Sequence, residues 1–270
     1  MIESERKQII DLVRREVIPA IGCTEPIAVA LCVAKAVETL GTKPENIKVF
    51  LSANILKNAM GVGIPGTGMI GLPIAVALGG IIGKSEYQLE VLKDSTPEAV
   101  KLGKQYINEK RVCISLKEGI AEKLYIEVLC EAEGKVATAI IAGGHTTFIY
   151  IARGEEILFS KQPVGTEEQD EQNLDLNLKK VYDFALTAPL EEIRFILETA
   201  RLNKAAAESS FQGDYGHALG KVLRGRYEHQ IMGDSVFSHI LSYTSAACDA
   251  RMAGAMIPVM SNSGSGNQGI

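Results

Sequence analysis

The sequence predicts an α+β fold in which an amino-terminal domain with an antiparallel sheet and helices is followed by an all-helical domain. Hydrophobic residues fall mostly at helical spacing up to residue 109, and short β-rich segments between glycine turns fill residues 112–160. From residue 178 onwards the patterns are helical again. An acidic stretch at 167–175 separates the two compositions, so we predict domains of residues 1–175 and 176–270.

Helices dominate the region before the sheet. Residues 4–17 are amphipathic, whereas residues 27–40 are apolar on nearly all sides and are expected to be buried. Pro97 suits the first turn of a helix at 96–109. A further helix at 72–82 and a first strand at 47–52 complete this region.

Short segments rich in β-branched residues follow, each bounded by a turn that contains glycine. Strands that succeed one another through short turns form an antiparallel meander, whereas parallel strands need long crossover connections. The predicted strands are 112–116, 124–132, 136–142, 147–152 and 157–160.

The second domain is predicted to contain helices alone, at about 178–186, 189–211, 214–225 and 233–253. The chain then ends in a polar, glycine-rich run at 261–270. Because a helical domain rarely stops within such a run, we expect the natural protein to continue and this domain to be truncated.

Composition narrows the class of protein. Hydrophobic residues make up 46% and charged residues 23%, which is typical of a globular chain, and the net charge of -5 comes without a basic block. We therefore expect no nucleic-acid partner and no membrane partner. The five cysteines are widely spaced, and no secretory signal precedes them, so we predict a reducing cytoplasmic location.

Residues 66–71 match the pattern G-x-G-x-x-G of dinucleotide-binding loops. That fingerprint requires a strand leading directly into the first glycine, but Pro65 stands there instead. A turn or packing role is therefore favoured over a nucleotide site.

Three other segments carry candidate chemistry. Cys23 lies in a turn between helices, where a projecting thiol with a pKa lowered by the following helix would be a nucleophile or a metal ligand, unless it is simply buried. His145 follows two glycines in a turn and is either a proton carrier or a solvated residue. The run at 261–268 is a ligand-binding loop or a flexible linker.

Four motifs in order along the chain resemble one family, the L-cysteine desulfidases, which are related to the α chain of iron–sulphur L-serine dehydratases. The motifs are Gly-Cys-Thr-Glu-Pro at 22–26, Lys57-Asn58 leading into 65–69, Gly-Gly-His-Thr at 143–146, and the run at 260–270. The resemblance covers essentially the whole chain.

The resemblance implies a lyase that converts L-cysteine to pyruvate, ammonia and sulphide by α,β-elimination, with L-serine dehydration as the close variant. A [4Fe-4S] cluster would act as the Lewis acid in the complete protein, with Cys23 as a ligand and the other cysteines outside this chain. We therefore expect the chain as given to be cluster-free and inactive. His145 and Lys57 are the candidate general bases.

We further expect a small L-amino acid, cysteine or serine, as the ligand, and a homo-oligomer as the assembly. The predicted substrate contacts are Thr24, Asn58, Thr67, Ser261, Asn262, Ser263, Asn267 and Gln268. The loops that carry these residues should converge on one cleft. The competing hypotheses are a non-catalytic amino-acid-binding regulatory subunit or sensor, and a nucleotide-binding enzyme.

Overall fold

The computed structural model describes residues 1–161, 176–225 and 233–270. Helices and strands are mixed within it, which confirms the α+β fold class. The acidic stretch at 167–175 lies outside the described residues, so the division into two domains stays a prediction. No helix in the described ranges is long and apolar enough to cross a membrane.

The first 110 residues form helices around three short strands and one strand of the main sheet. In chain order these elements are α1 (Glu3–Glu16), β1 (Val17–Ile21), α2 (Thr24–Leu40), β2 (Asn46–Leu51), α3 (Ala53–Ala59), β3 (Gly63–Ile64), β4 (Met69–Ile70), α4 (Leu72–Ile81), a 3-10 helix (Ser85–Glu90) and α5 (Pro97–Asn108). Strands β3 and β4 pair as a hairpin around the turn that contains Gly66 and Gly68. The glycine pattern therefore makes a turn, as favoured from the sequence.

The main sheet has the strand order β5-β2-β6-β7-β8-β9. Its later strands are β5 (Val112–Leu116), β6 (Tyr125–Ala132), β7 (Lys135–Ala142), β8 (Phe148–Arg153) and β9 (Glu156–Ser160). Strands β6 to β9 form the predicted antiparallel meander, but β2 pairs in parallel with β5. A wholly antiparallel sheet was therefore wrong at this pair, because the helices between β2 and β5 form a crossover.

Helix α2 forms the centre of the core, where it lies against β6 and β7 on one side and α4 on another. The residues from Ala28 to Ala34 have no exposed surface, as their continuous apolar character predicted. Helix α4 approaches α2 so closely that a Cβ on Gly79 would stand 2.6 Å from the Ala30 carbonyl oxygen. Helix α5 packs on the far side of α4.

The carboxyl-terminal elements are mostly helical. They are α6 (Leu178–Thr187), α7 (Leu190–Ile193), a 3-10 turn (Arg194–Ile196), α8 (Leu197–Gln212), α9 (Leu219–Leu223), α10 (Val236–Met252), β10 (Pro258–Asn262) and α11 (Gly266–Gly269). Helix α10 packs against α8 and α9. The prediction of helices alone was wrong for residues 258–262, which are extended.

Strand β10 pairs antiparallel with β1, in a register that runs from Val17 opposite Asn262 to Ile21 opposite Pro258. Sequence reasoning missed both strands, since each is only five residues long and each gains its hydrogen bonds from the other end of the chain. The pairing holds the segment after β1 beside the segment after β10. Both segments line the candidate site.

We predict that Gly79→Ala lowers the free energy of unfolding by about 1–3 kcal/mol, because the added methyl meets backbone atoms of Ala30 that cannot rotate away. Gly61→Ala is the matched control, since no atom lies within 4 Å of a Cβ built there. Denaturant titration of both variants measures the difference. Equal stability of the two would show that α2 and α4 are less tightly packed than the structure indicates.

Candidate functional site

The site begins at a sharp corner between β1 and α2. Gly22 turns the chain with a φ of +78°, and a Cβ on it would overlap the ring of Pro65. Cys23 then occupies the position just before the helix, with only 6% of its surface exposed. The expectation that its sulphur projects freely from a loop was wrong, because the β3–β4 hairpin and the end of α10 cover the corner.

Burial raises the pKa of the Cys23 thiol to about 11, and the nearby carboxylate of Glu25 adds to this while the positive charge of Arg251 opposes it. The thiol is therefore protonated at neutral pH. The prediction that the helix terminus lowers this pKa was wrong. Burial destabilises the thiolate by more than the helix dipole stabilises it.

Glu25 is half-buried beside Cys23 and collects hydrogen bonds. Its Oε2 accepts from the Cys23 thiol and from the Thr24 hydroxyl, each at 3.2 Å, and its Oε1 accepts from Asn58 Nδ2 at 3.4 Å. Burial opposes ionisation, but the hydrogen bonds from Cys23, from its own backbone N–H and from Thr24, together with the neighbouring His145, outweigh it, so the pKa of the carboxyl is lowered. Glu25 is thus an anion inside the site.

His145 stands in the turn between β7 and β8 and reaches the same site. Burial lowers its pKa, Glu25 opposes this shift, and Arg251 adds to it. The imidazole is therefore neutral at pH 7 and able to accept a proton. His145 sits directly against Gly264, where a Cβ would overlap the imidazole Nδ1.

The carboxyl-terminal run is an ordered turn, which decides against a flexible linker. Asn262 and Ser265 exchange both backbone hydrogen bonds, at 3.0 and 2.9 Å. The two residues between them, Ser263 and Gly264, have positive φ angles of 49° and 75°, as in the type I′ turn of a tight hairpin. The Ser263 N–H also donates to the Glu16 carbonyl at 2.8 Å, which fastens the turn to the end of α1.

Arg251, at the end of α10, is a residue that sequence reasoning missed. It is only 4% exposed, and its guanidinium donates to Asn267 Oδ1 at 2.8 Å and contacts Cys23 Sγ at 3.7 Å. A Cβ on Gly266 would overlap its Nε, so the guanidinium lies directly against the loop at Gly266. The sequence did contain a signal for it. Arg251 lies four positions after Ala247, so it is a charged residue on the same helix face as the buried alanines.

These groups surround a cavity of about 320 Å³. It lies near the lower end of the range for small-molecule pockets, roughly 300 to 1,000 Å³. His145, Ser263 and Gly264 also line a neighbouring cavity of about 770 Å³, so they form the partition between the two. The wall of the smaller cavity consists of Cys23, Thr24, Glu25, Asn58, Val62, His145, Arg251, Met252, Ser263, Gly264, Ser265 and Asn267.

The cavity brings together six of the residues singled out from the sequence, which are Cys23, Thr24, Asn58, His145, Ser263 and Asn267. They come from all four loops that were expected to converge. The roles given to them from the sequence stay predictions.

The other residues singled out from the sequence do not line either cavity, and these are Lys57, Thr67, Ser261, Asn262 and Gln268. Lys57 is exposed on α3. The Thr67 hydroxyl is used inside the hairpin, where it donates to the Ile64 carbonyl at 2.7 Å. Ser261 is fully buried in β10, and its hydroxyl has no partner among the described residues.

A [4Fe-4S] cluster is normally held by three or four thiolates. Cys23 is the cysteine that lines the cavity, and Cys248, which is not part of the lining, lies with its Sγ 3.6 Å from Asn267 Oδ1. Cys32 and Cys130 are buried in the core, and Cys113 is on the edge strand β5. Within the described ranges no three potential ligands lie close enough for a metal ion, so these residues do not fit a complete cluster.

We predict that His145 titrates below the value of about 6.5 usual for a free histidine, because burial disfavours its charged form. Glu25→Gln should lower the titration midpoint further, since it removes the negative charge that favours the imidazolium. NMR of the His145 ring against pH measures both midpoints. Glu198→Gln, at an exposed carboxylate on α8, should leave the His145 midpoint unchanged. A midpoint above 6.5 would contradict the burial seen here.

Comparison of the sequence with known proteins identifies relatives of this chain. The chain is 82% identical over its whole length to a UPF0597 protein of Bacteroides fragilis, and 78% identical to one of Bacteroides thetaiotaomicron, and it covers 63% of each. It is 47% identical to a UPF0597 protein of Porphyromonas gingivalis, of which it covers 64%. The chain thus spans less than two thirds of the length of these relatives. No solved structure matches it.

A sequence profile of the serine dehydratase alpha chain matches residues 86–270. This match covers more than half of the chain and includes His145, Arg251 and the turn at 262–265. It also confirms the resemblance to the dehydratase α chain noted from the motifs. The chain therefore belongs to the serine dehydratase alpha chain family.

Proposed function

We propose that the complete protein is a lyase that eliminates the β-substituent of a small L-amino acid, L-cysteine or L-serine, to form pyruvate and ammonia. The observation that carries this proposal is the single cavity in which Cys23, Glu25 and His145 meet, although they lie on separate segments. Membership of the serine dehydratase alpha chain family supports the same class of reaction.

His145 is the group best suited to remove the α-proton. It lines the cavity, and its lowered pKa leaves the imidazole neutral and ready to accept a proton. Lys57, the other candidate base, is exposed and outside the lining. Of the two candidate bases, His145 is therefore favoured by its place in the cavity wall.

The proposed elimination begins with removal of the α-proton. The α-proton moves to His145, the electrons of that C–H bond form the Cα–Cβ double bond, and hydrosulphide or hydroxide leaves from Cβ. The resulting aminoacrylate tautomerises to an imine, which water hydrolyses to pyruvate and ammonia. Solvent protonates the leaving group to hydrogen sulphide or water, and His145 gives its proton back to solvent, which restores the neutral imidazole.

Cys23 as a cluster ligand remains a prediction for the complete protein, since it needs further thiolates from outside the described residues. The burial of the Cys23 thiol among Glu25, Thr24 and Arg251 supports a role at the reacting centre in either case. The cytoplasmic location and the homo-oligomeric assembly also remain predictions.

We predict that the complete gene product, purified without oxygen, forms pyruvate from L-cysteine or L-serine, and that Cys23→Ser abolishes this. A serine hydroxyl stays protonated and is a harder ligand, so it is a poor substitute for sulphur at iron. Cys113→Ser is the matched control, because Cys113 is exposed on strand β5 and lines neither cavity. Pyruvate release and the visible absorbance of a cluster are recorded for each protein.

The outcomes separate the alternatives. Loss of both activity and cluster absorbance in Cys23→Ser assigns Cys23 to iron, whereas loss of activity alone assigns it to the substrate. Equal turnover by wild type and Cys23→Ser removes Cys23 from the mechanism. Absence of pyruvate from any small L-amino acid rejects the lyase and favours the amino-acid-binding regulatory subunit.

A further inference from the structure

We infer that the smaller cavity binds an α-amino acid as a zwitterion, with Arg251 holding its carboxylate and Glu25 its ammonium group. This inference deepens the proposed function and rests on it for the identity of the site. It concerns recognition of the two charged groups and not the chemical step, so binding alone tests it.

Arg251 supplies a buried positive charge that lacks a counter-ion. A guanidinium has five N–H donors, yet among the described residues its one oxygen acceptor is Asn267 Oδ1, at 2.8 Å. Its other contacts are with sulphur, to Met252 at 3.4 Å and Cys23 at 3.7 Å, and Nε has no partner. No carboxylate of the described chain lies within ion-pair distance.

A buried charge without compensation is costly, and a carboxylate is the ligand that matches a guanidinium best. Two parallel N–H···O bonds form between these planar groups, and such charge-assisted bonds are stronger than neutral ones. Since Arg251 lines the cavity, a carboxylate entering there would compensate its charge. This assigns the Arg251 side of the cavity to an anionic group.

Glu25 supplies the opposite charge on the same cavity. The Cys23 sulphur lies between the two residues, 3.7 Å from Arg251 Nη2 and 3.2 Å from Glu25 Oε2. Arg251 and Glu25 are therefore close neighbours that do not form an ion pair. A free α-amino acid carries an anion and a cation on one carbon, so it can compensate Arg251 and hydrogen-bond Glu25 at once.

This orientation places the α-carbon for the proposed reaction. With its charged groups fixed by Arg251 and Glu25, the ligand presents its remaining α-substituents to the rest of the wall. His145 stands within electrostatic reach of both residues and is part of that wall. The volume of about 320 Å³ favours ligands with small side chains.

Glycines at 264 and 266 let this arrangement exist. A Cβ on Gly264 would overlap His145, and a Cβ on Gly266 would overlap the Arg251 guanidinium. The turn thus holds the proton acceptor and the carboxylate-binding group against one short segment of backbone. Both side chains are positioned by the same loop.

The test measures binding of three non-reacting probes to the complete protein by anaerobic calorimetry. L-Alanine carries both charges but has no leaving group, propanoate lacks the ammonium group, and ethylamine lacks the carboxylate. Arg251→Gln should weaken L-alanine and propanoate by roughly ten- to a hundredfold and should not weaken ethylamine. Glu25→Gln should weaken L-alanine and ethylamine and should not weaken propanoate.

Matched controls are Arg201→Gln and Glu198→Gln, which remove an exposed pair on α8 and should leave all three affinities unchanged. Circular dichroism checks the fold of each variant. Arg251→Lys keeps the charge, so it should retain part of the affinity for propanoate even if Arg251→Gln fails to fold.

Equal weakening of all three probes by either variant, or no binding of L-alanine by the wild type, overturns the inference. Wild-type protein that binds L-alanine in the expected pattern but releases no pyruvate rejects the lyase and keeps the zwitterion site. If the complete protein releases pyruvate, but neither Arg251→Gln nor Glu25→Gln weakens some probes more than others, the lyase is kept and the zwitterion site is rejected.

Discussion

The antiparallel pairing of β1 with β10 is the contact on which the site depends. It joins residues near the two ends of the chain in one two-stranded sheet. The Gly22–Cys23 corner directly follows one strand of this sheet, and the turn at 262–265 is at the end of the other. Asn203 of α8 reinforces it by accepting from the Met260 N–H at 2.8 Å and donating to the Gly269 carbonyl at 2.7 Å. Without this pairing the groups of the cavity would be separate surface features.

The second constraint is the close approach of side chains to the backbone of the motif loops. It explains why glycine occupies particular positions of the motifs. Gly22 makes room for Pro65, while the two glycines at 264 and 266 make room for His145 and Arg251. In each case the space of a Cβ is already filled by another segment. The glycines therefore act through packing between distant parts of the chain as much as through their backbone freedom.

Burial acts differently on each ionisable group of the cavity. It keeps the Cys23 thiol protonated and the His145 ring neutral, because neither gains enough hydrogen bonds or opposite charge to offset lost hydration. Glu25 stays ionised because several donors converge on its carboxylate. Arg251 adds the positive charge of its guanidinium to the same cavity. A neutral base and two opposite fixed charges result.

The sequence by itself determined most of the helices, the meander strands and the loops that carry the chemical groups, because these follow from local hydrophobic period, turn residues and motifs; it missed α3. It also placed His145 and Cys23 among the candidates. Only the tertiary structure decided the parallel β2–β5 pair, the β1–β10 pairing and the burial of Arg251 beside Glu25. These features depend on contacts between segments far apart in the chain. The burial that shifts the pKa values of Cys23, Glu25 and His145 exists only once those segments have met.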